Sequence, residues 1–232
     1  MTDTAAADSP AADRPGADAP ATDSLLADAV ADRHVVQSTE RFHGRVWDIR
    51  TDLVDLGDGE QVERDLVVHP GAVAIIAVDA DQQVLLVQQY RHPVSAVLWE
   101  PPAGLLDVAG EQPLAAAQRE LFEEAGYRAS RWSVLLDVFM SPGGSSESVR
   151  LFLAQDLAPV AEAERFLGEA EERTMVTRWV PLERARAGLF SGDLHSPLCV
   201  MGILAVTRVL IDGDASTRPV ESSWFRGGAL PS

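Results

Sequence analysis

The chain has 232 residues, 46% of them hydrophobic and 24% charged, enough to bury a full core and suited to one ordinary domain with a small appendage. Its 36 Asp+Glu against 19 Lys+Arg give a formal net charge of -17, which argues against a non-specific grip on nucleic acid or anionic lipid, since either polyanion needs a basic stripe. Every cation is an arginine, so a Schiff-base lysine and a P-loop lysine are both excluded, and the single Cys199 cannot form an intramolecular disulfide or build a zinc cluster.

Residues 1–33 open with MTDTAAADSPAADRPGADAPATD, which has no aliphatic side chain larger than alanine after Met1. Such a segment cannot repay the entropy of folding and reads as a disordered, acidic tail. It is neither a basic-then-apolar export signal nor part of a membrane span, for which about 18 consecutive apolar residues would be needed. A cytoplasmic setting fits.

Residues 34–69 change character. RVWDIRTDLVDL and QVERDLVVHP are β-prone runs joined by GDGE, the pattern of a hairpin. A β unit this small is not stable alone and must pack on its own main domain or on a second subunit. Trp47 shares strand parity with Ile49, which favours a core position.

A main domain is expected over 70–212. GAVAIIAVDADQQVLLVQQYRH holds two continuous apolar runs, the mark of central strands buried on both faces. LWEPPAG breaks the chain, and a helix is expected from Pro113 to Ala125, with proline in its first turn and Gly126 just past its end. Further strands are expected near 132–139, 148–154 and 177–181. LERARAGL and SPLCVMGILAVTRVLI read as helices, and 213–232 as a C-terminal tail. The fold class is α/β (α+β): a mixed sheet between helices, with a small antiparallel β subdomain ahead of it.

At 100° per residue, Glu120, Glu123 and Glu124 fall within an arc of about 100°, while Leu114, Leu121 and Ala125 make a separate core-facing stripe. On a solvated face such acids repel by only about 0.2 to 0.5 kcal/mol per pair. In a cleft, two carboxylates 6 Å apart repel by roughly 3 kcal/mol at an effective dielectric near 20, and they stand in the half of the helix where the macrodipole is also negative. A cleft-lining edge therefore calls for a divalent cation, and oxygen-only ligands point to Mg²⁺ or Mn²⁺ rather than zinc.

GLLDVAGEQPLAAAQRELFEEAGY, residues 104–127, resembles the Nudix hydrolase signature: from Glu111 onward, seven residues and then RELFEEAGY match throughout. Six residues rather than five separate Gly104 from Glu111, which leaves the helix unchanged and the role of Glu111 open. The resemblance implies a Nudix fold in which Glu120, Glu123 and Glu124, with the backbone carbonyl of Ala103, bind the divalent metal, and Arg119 orients the carboxylates. Downstream, SPGGSSE resembles a segment of bacterial ADP-ribose pyrophosphatases, including an actinobacterial type, with Pro142 fifteen residues past Tyr127. That segment implies Glu147 as a general base on a Gly-rich mobile loop; the plain alternative is a turn with a solvated glutamate.

By the same resemblance Arg91, Glu100 and Arg64 bind substrate, and Trp47 is a candidate to stack on adenine. For Arg64 and Arg91 a surface ion pair is the competing reading. The implied activity is metal-dependent cleavage of ADP-ribose to AMP and ribose 5-phosphate by a homodimer that exchanges its N-terminal β unit. ADP-glucose or GDP-mannose is the alternative substrate. A non-catalytic ADP-ribose sensor is the rival class, and it predicts a degraded glutamate set with a basic DNA-binding domain, neither of which this chain has.

Overall fold

The computed structural model of the chain describes residues 26–57, 59–164, 166 and 175–227. Most of the expected acidic tail lies outside the described residues; 26–34 are exposed and without regular secondary structure. The chain divides between Ala31 and Asp32, and everything below concerns Asp32–Ser232.

Three strands, β1 (Val35–His43), β2 (Asp48–Gly57) and β3 (Glu60–Val68), form an antiparallel sheet of their own, with β2 central. The expected hairpin is β2–β3, and Gly57 and Gly59 both adopt positive φ at its turn, the conformation that favours glycine. β1 adds a third strand that the hairpin pattern did not announce.

The main body holds two further sheets. One is ordered β10–β5–β6, from β5 (Gln83–Arg91), β6 (Ala96–Glu100) and β10 (Val176–Pro181), all antiparallel. The other is ordered β7–β4–β9–β8, from β4 (Ala72–Ala77), β7 (Ala103–Leu105), β8 (Tyr127–Phe139) and β9 (Ser148–Pro159); β4 and β9 run parallel, so the sheet is mixed. Strands β8 and β9 extend beyond the apolar runs that announced them. Their outer halves alternate: Tyr127, Ala129, Trp132 and Leu157 pack toward the core while Arg128, Ser130, Arg131 and Asp156 are exposed.

Every residue of β4 is buried. Ala72, Ala74 and Ile76 join one apolar cluster with Val149, Leu151 and Leu153 of β9, while Val73, Ile75 and Ala77 join another with Phe152 and Ala154. This is the two-residue period of a strand covered on both faces. Helix α1 (Pro113–Ala125) supplies Ala116, Ala117 and Leu121 to the second cluster. Helices α2 (Leu182–Ser191) and α3 (Pro197–Thr207) supply Leu182, Ala185, Cys199, Ile203 and Val206 to the first. The result is the expected layering of helices around a mixed sheet.

Helix α1 begins at Pro113 and ends on Gly126 at φ 70°, whose N–H caps the Leu121 and Phe122 carbonyls. The last expected helix stops being α at Thr207 and continues as a π turn, Arg208–Asp212. Beyond it, 213–227 stays against the domain: Arg218 exchanges backbone hydrogen bonds with Val134 at 2.8 and 2.9 Å. No helix among the described residues is long and apolar enough to cross a membrane.

Candidate active site

The site is assembled where α1 meets β7. The acidic edge of the helix turns toward the strand while Leu121 faces the core, so Glu120 is only 8% exposed. Ala103 N–H donates to Glu124 Oε2 at 3.0 Å, and the Glu120 carboxylate occupies the space a Cβ on Gly104 would need. A bare backbone at Gly104 is what lets β7 approach this closely.

Arg119 stands among three carboxylates. Its Nε and Nη2 donate to Glu111 Oε1 and Oε2, both at 3.1 Å, a bidentate fork. Its Nη1 donates to Glu120 Oε1 at 2.6 Å and to Glu123 Oε2 at 3.1 Å. Those hydrogen bonds from Arg119 hold the Glu111 carboxyl below the usual carboxylate range, and the same acids, Glu111 first, raise the guanidinium further above its already high value. Glu111, whose role the sequence left open, is thereby placed: it holds the far end of Arg119.

Among the described residues no three acidic or histidine side chains converge as a ready-made metal cluster, because Arg119 draws Glu120 and Glu123 while Glu124 faces the Ala103 amide. The donor set still fits a hard cation in its chemistry: Glu120, Glu123 and Glu124 line one helix edge beside the β7 backbone, with no sulfur or imidazole among them.

The loop carrying Glu147 runs between β8 and β9 and is tied to the end of β3. Val67 N–H donates to Gly144 O at 2.9 Å, Ser146 N–H to Val67 O at 3.0 Å, and His69 N–H to Ser146 Oγ at 2.8 Å. Met140 N–H closes the loop's neck on Glu147 O at 3.1 Å. Glu147 Oε1 lies 4.0 Å from His69 Nε2, and the imidazole is nearly buried. Burial pushes the His69 pKa down, against the opposing pull of Glu147. His69 was not singled out in the sequence; its place in VVHPG, between β3 and β4, was the available signal.

Trp47 belongs to this corner, with its ring centre 5.9 Å from that of His69. Its expected core position is corrected: it is 46% exposed, because it precedes β2 and strand parity does not govern it. Arg91 donates to Glu100 Oε2 through Nε at 2.9 Å and Nη2 at 2.5 Å, across neighbouring strands β5 and β6. Arg64 is not joined to either cluster; it is exposed on β3 and donates to the Glu63 carbonyl at 3.1 Å.

This arrangement of a glutamate-edged helix, an arginine within it and a mixed sheet behind is that of the Nudix fold. The NUDIX domain profile matches residues 68–196, and the chain belongs to that family. It is 43% identical over 189 residues to the ADP-ribose pyrophosphatase of Mycobacterium tuberculosis, covering 81% of this chain and 89% of that one. It is 38% identical over 140 residues to the ADP-ribose pyrophosphatase of Bacillus subtilis, covering 60% of this chain and 75% of that one. A solved ADP compounds hydrolase matches the fold with a TM-score of 0.68 at 21% identity, over 81% of this chain and 99% of that chain.

Proposed function

We propose that this protein hydrolyses the pyrophosphate bond of ADP-ribose to AMP and ribose 5-phosphate. The observation that carries the reading is the extent of the likeness to the mycobacterial ADP-ribose pyrophosphatase: 189 aligned residues reach beyond the 68–196 domain and cover nine-tenths of that relative.

Glu120, Glu123, Glu124 and the Ala103 carbonyl would hold the divalent cation, Mg²⁺ or Mn²⁺. When bound, such a cation neutralises diphosphate charge and lowers the pKa of a coordinated water. Arg119, anchored at its far end by Glu111, fixes where Glu120 and Glu123 point. Glu147 takes the proton from the attacking water, which adds across one P–O bond and leaves one phosphate on each product. Arg91 and Arg64 offer planar guanidinium groups to the diphosphate. Glu100 accepts from ribose hydroxyls or the adenine amino group, and exposed Trp47 stacks on the base. A substrate phosphate would compete with Glu100 for Arg91.

The chain works as a cytoplasmic homodimer in this reading. The dimer is supported by the β1–β3 subdomain, where Val36, Phe42, Val46, Trp47 and Leu56 are all exposed on it or at its turns. Incubating the purified protein with ADP-ribose, ADP-glucose and GDP-mannose, each with Mg²⁺ or Mn²⁺, tests the assignment by product identification. AMP and ribose 5-phosphate from ADP-ribose are expected. Turnover of only another nucleotide sugar, or binding without hydrolysis, would overturn it.

A further inference from the structure

The C-terminal segment past Gly213 is held by a buried cation. Arg150 on β9, with a side chain 4% exposed, donates to Asp137 Oδ1 and Oδ2 at 2.7 and 2.9 Å. Its Nη1 and Nη2 also donate to the carbonyls of Ser222 and Ser223, both at 3.0 Å. Arg218 reaches the same Asp137 at 2.8 Å. The Arg150 guanidinium also lies 5.0 Å from the Trp224 ring centre, and Arg226 lies 4.9 Å from it. Strands β8 and β9 are thereby joined to Ser222–Arg226.

Arg226 then makes two contacts that the core does not require. Its Nη2 donates to Pro70 O at 2.7 Å and its Nε to Ser148 Oγ at 3.3 Å. Pro70 directly follows His69, and Ser148 directly follows Glu147. One planar guanidinium thus spans the Pro70 carbonyl and the Ser148 hydroxyl, on the residues that follow His69 and Glu147. Gly71 is fitted to it: φ is +93°, and a Cβ there would stand 2.5 Å from Arg226 Nη2 and 3.3 Å from Ser148 O.

We infer that Arg226 is a positioning residue for Glu147. Bonds with Val67 and His69 fasten the loop's middle to β3, and Met140 N–H holds the Glu147 carbonyl; Arg226 adds a tie from the C-terminal segment at Ser148, the residue after Glu147. The inference rests on reading Glu147 as the general base. Misplacing a catalytic group by about 1 Å costs on the order of a hundredfold in rate, so a residue that touches no substrate can still govern kcat.

The test uses the full chain, ADP-ribose and the divalent cation, with Arg226→Ala, Arg226→Lys, Glu147→Gln and the doubles of the last with each of the first two. Arg226→Ala is expected to lower kcat about tenfold or more with KM within about twofold. Arg226→Lys should recover part of the loss, since an ammonium reaches one of the two acceptors but cannot span both. On the Glu147→Gln background either Arg226 substitution should slow the reaction no further, as expected for residues acting as a unit.

Wild-type kcat in Arg226→Ala, or the same fold loss with and without Glu147, overturns the inference while leaving Glu147 its role. Wild-type kcat in Glu147→Gln instead overturns the reading of Glu147 as base. Should Arg226→Ala fail to fold, Arg226→Lys carries the same comparison.

Discussion

The carboxylate of Glu120 fills the space that a side chain on Gly104 would take. The requirement at Gly104 is room rather than conformation, since it is not among the positive-φ glycines. Gly104→Ala should displace Glu120 from its 2.6 Å bond with Arg119 and push the acidic edge of α1 away from β7. We expect kcat to fall by about a hundredfold, while the melting temperature drops only a few degrees because the apolar face of α1 is untouched. Steady-state hydrolysis and a thermal melt on the same preparation check this. A variant with full activity would show that the Glu120 position is not critical.

Much of this geometry was legible in the sequence because it is local. Pro113 and Gly126 mark the two ends of α1 by their own backbone chemistry, and helical periodicity alone separates the acidic edge from Leu121. The continuous apolar run of β4 likewise announces burial on both faces. What the sequence left open depends on contacts between distant segments. His69 meets Glu147 across 78 positions and Arg226 returns from the C-terminal segment to Pro70, while Glu111, just before α1, meets Arg119 eight residues on through side-chain directions that spacing does not fix. Trp47 shows the converse failure: parity predicts a buried face only inside a strand, and β2 begins one residue later.

The Glu111–Arg119 fork gives stability a pH dependence of known sign. Because the folded-state pKa of Glu111 lies below its ordinary value of 4.5, the unfolded chain binds more protons in that range. The contribution is therefore fully present above about pH 4.5 and is lost as pH falls below it. Glu111→Gln should cost about 1 kcal/mol at neutral pH, and the gap from wild type should close as pH drops toward 3. Urea melts of both proteins across pH 3 to 7 measure this gap. One that widens in acid would have the wrong sign for a charge held by Arg119.

The lone thiol offers a test of the core. Cys199 sits fully buried in the first turn of α3, among residues that pack on β4 and β9. Burial, with a smaller contribution from the charge of Glu100, pushes its pKa up to about 12. At pH 8 only about one thiol in ten thousand would be ionised, and the thiolate is the reactive form. Farther along α3, Gly202 lets the helix backbone close onto Ile76, where a Cβ would overlap the isoleucine side chain. Exposing Cys199 therefore means lifting α3 off the sheet, an opening whose free energy should approach that of global unfolding. In native buffer at pH 8 the protein should resist a thiol-specific reagent, with labelling that accelerates through the urea transition. Gly202→Ala, which forces that contact apart, should raise the native labelling rate about tenfold or more. Rapid labelling of the wild-type chain without denaturant would mean that α3 opens independently of the core.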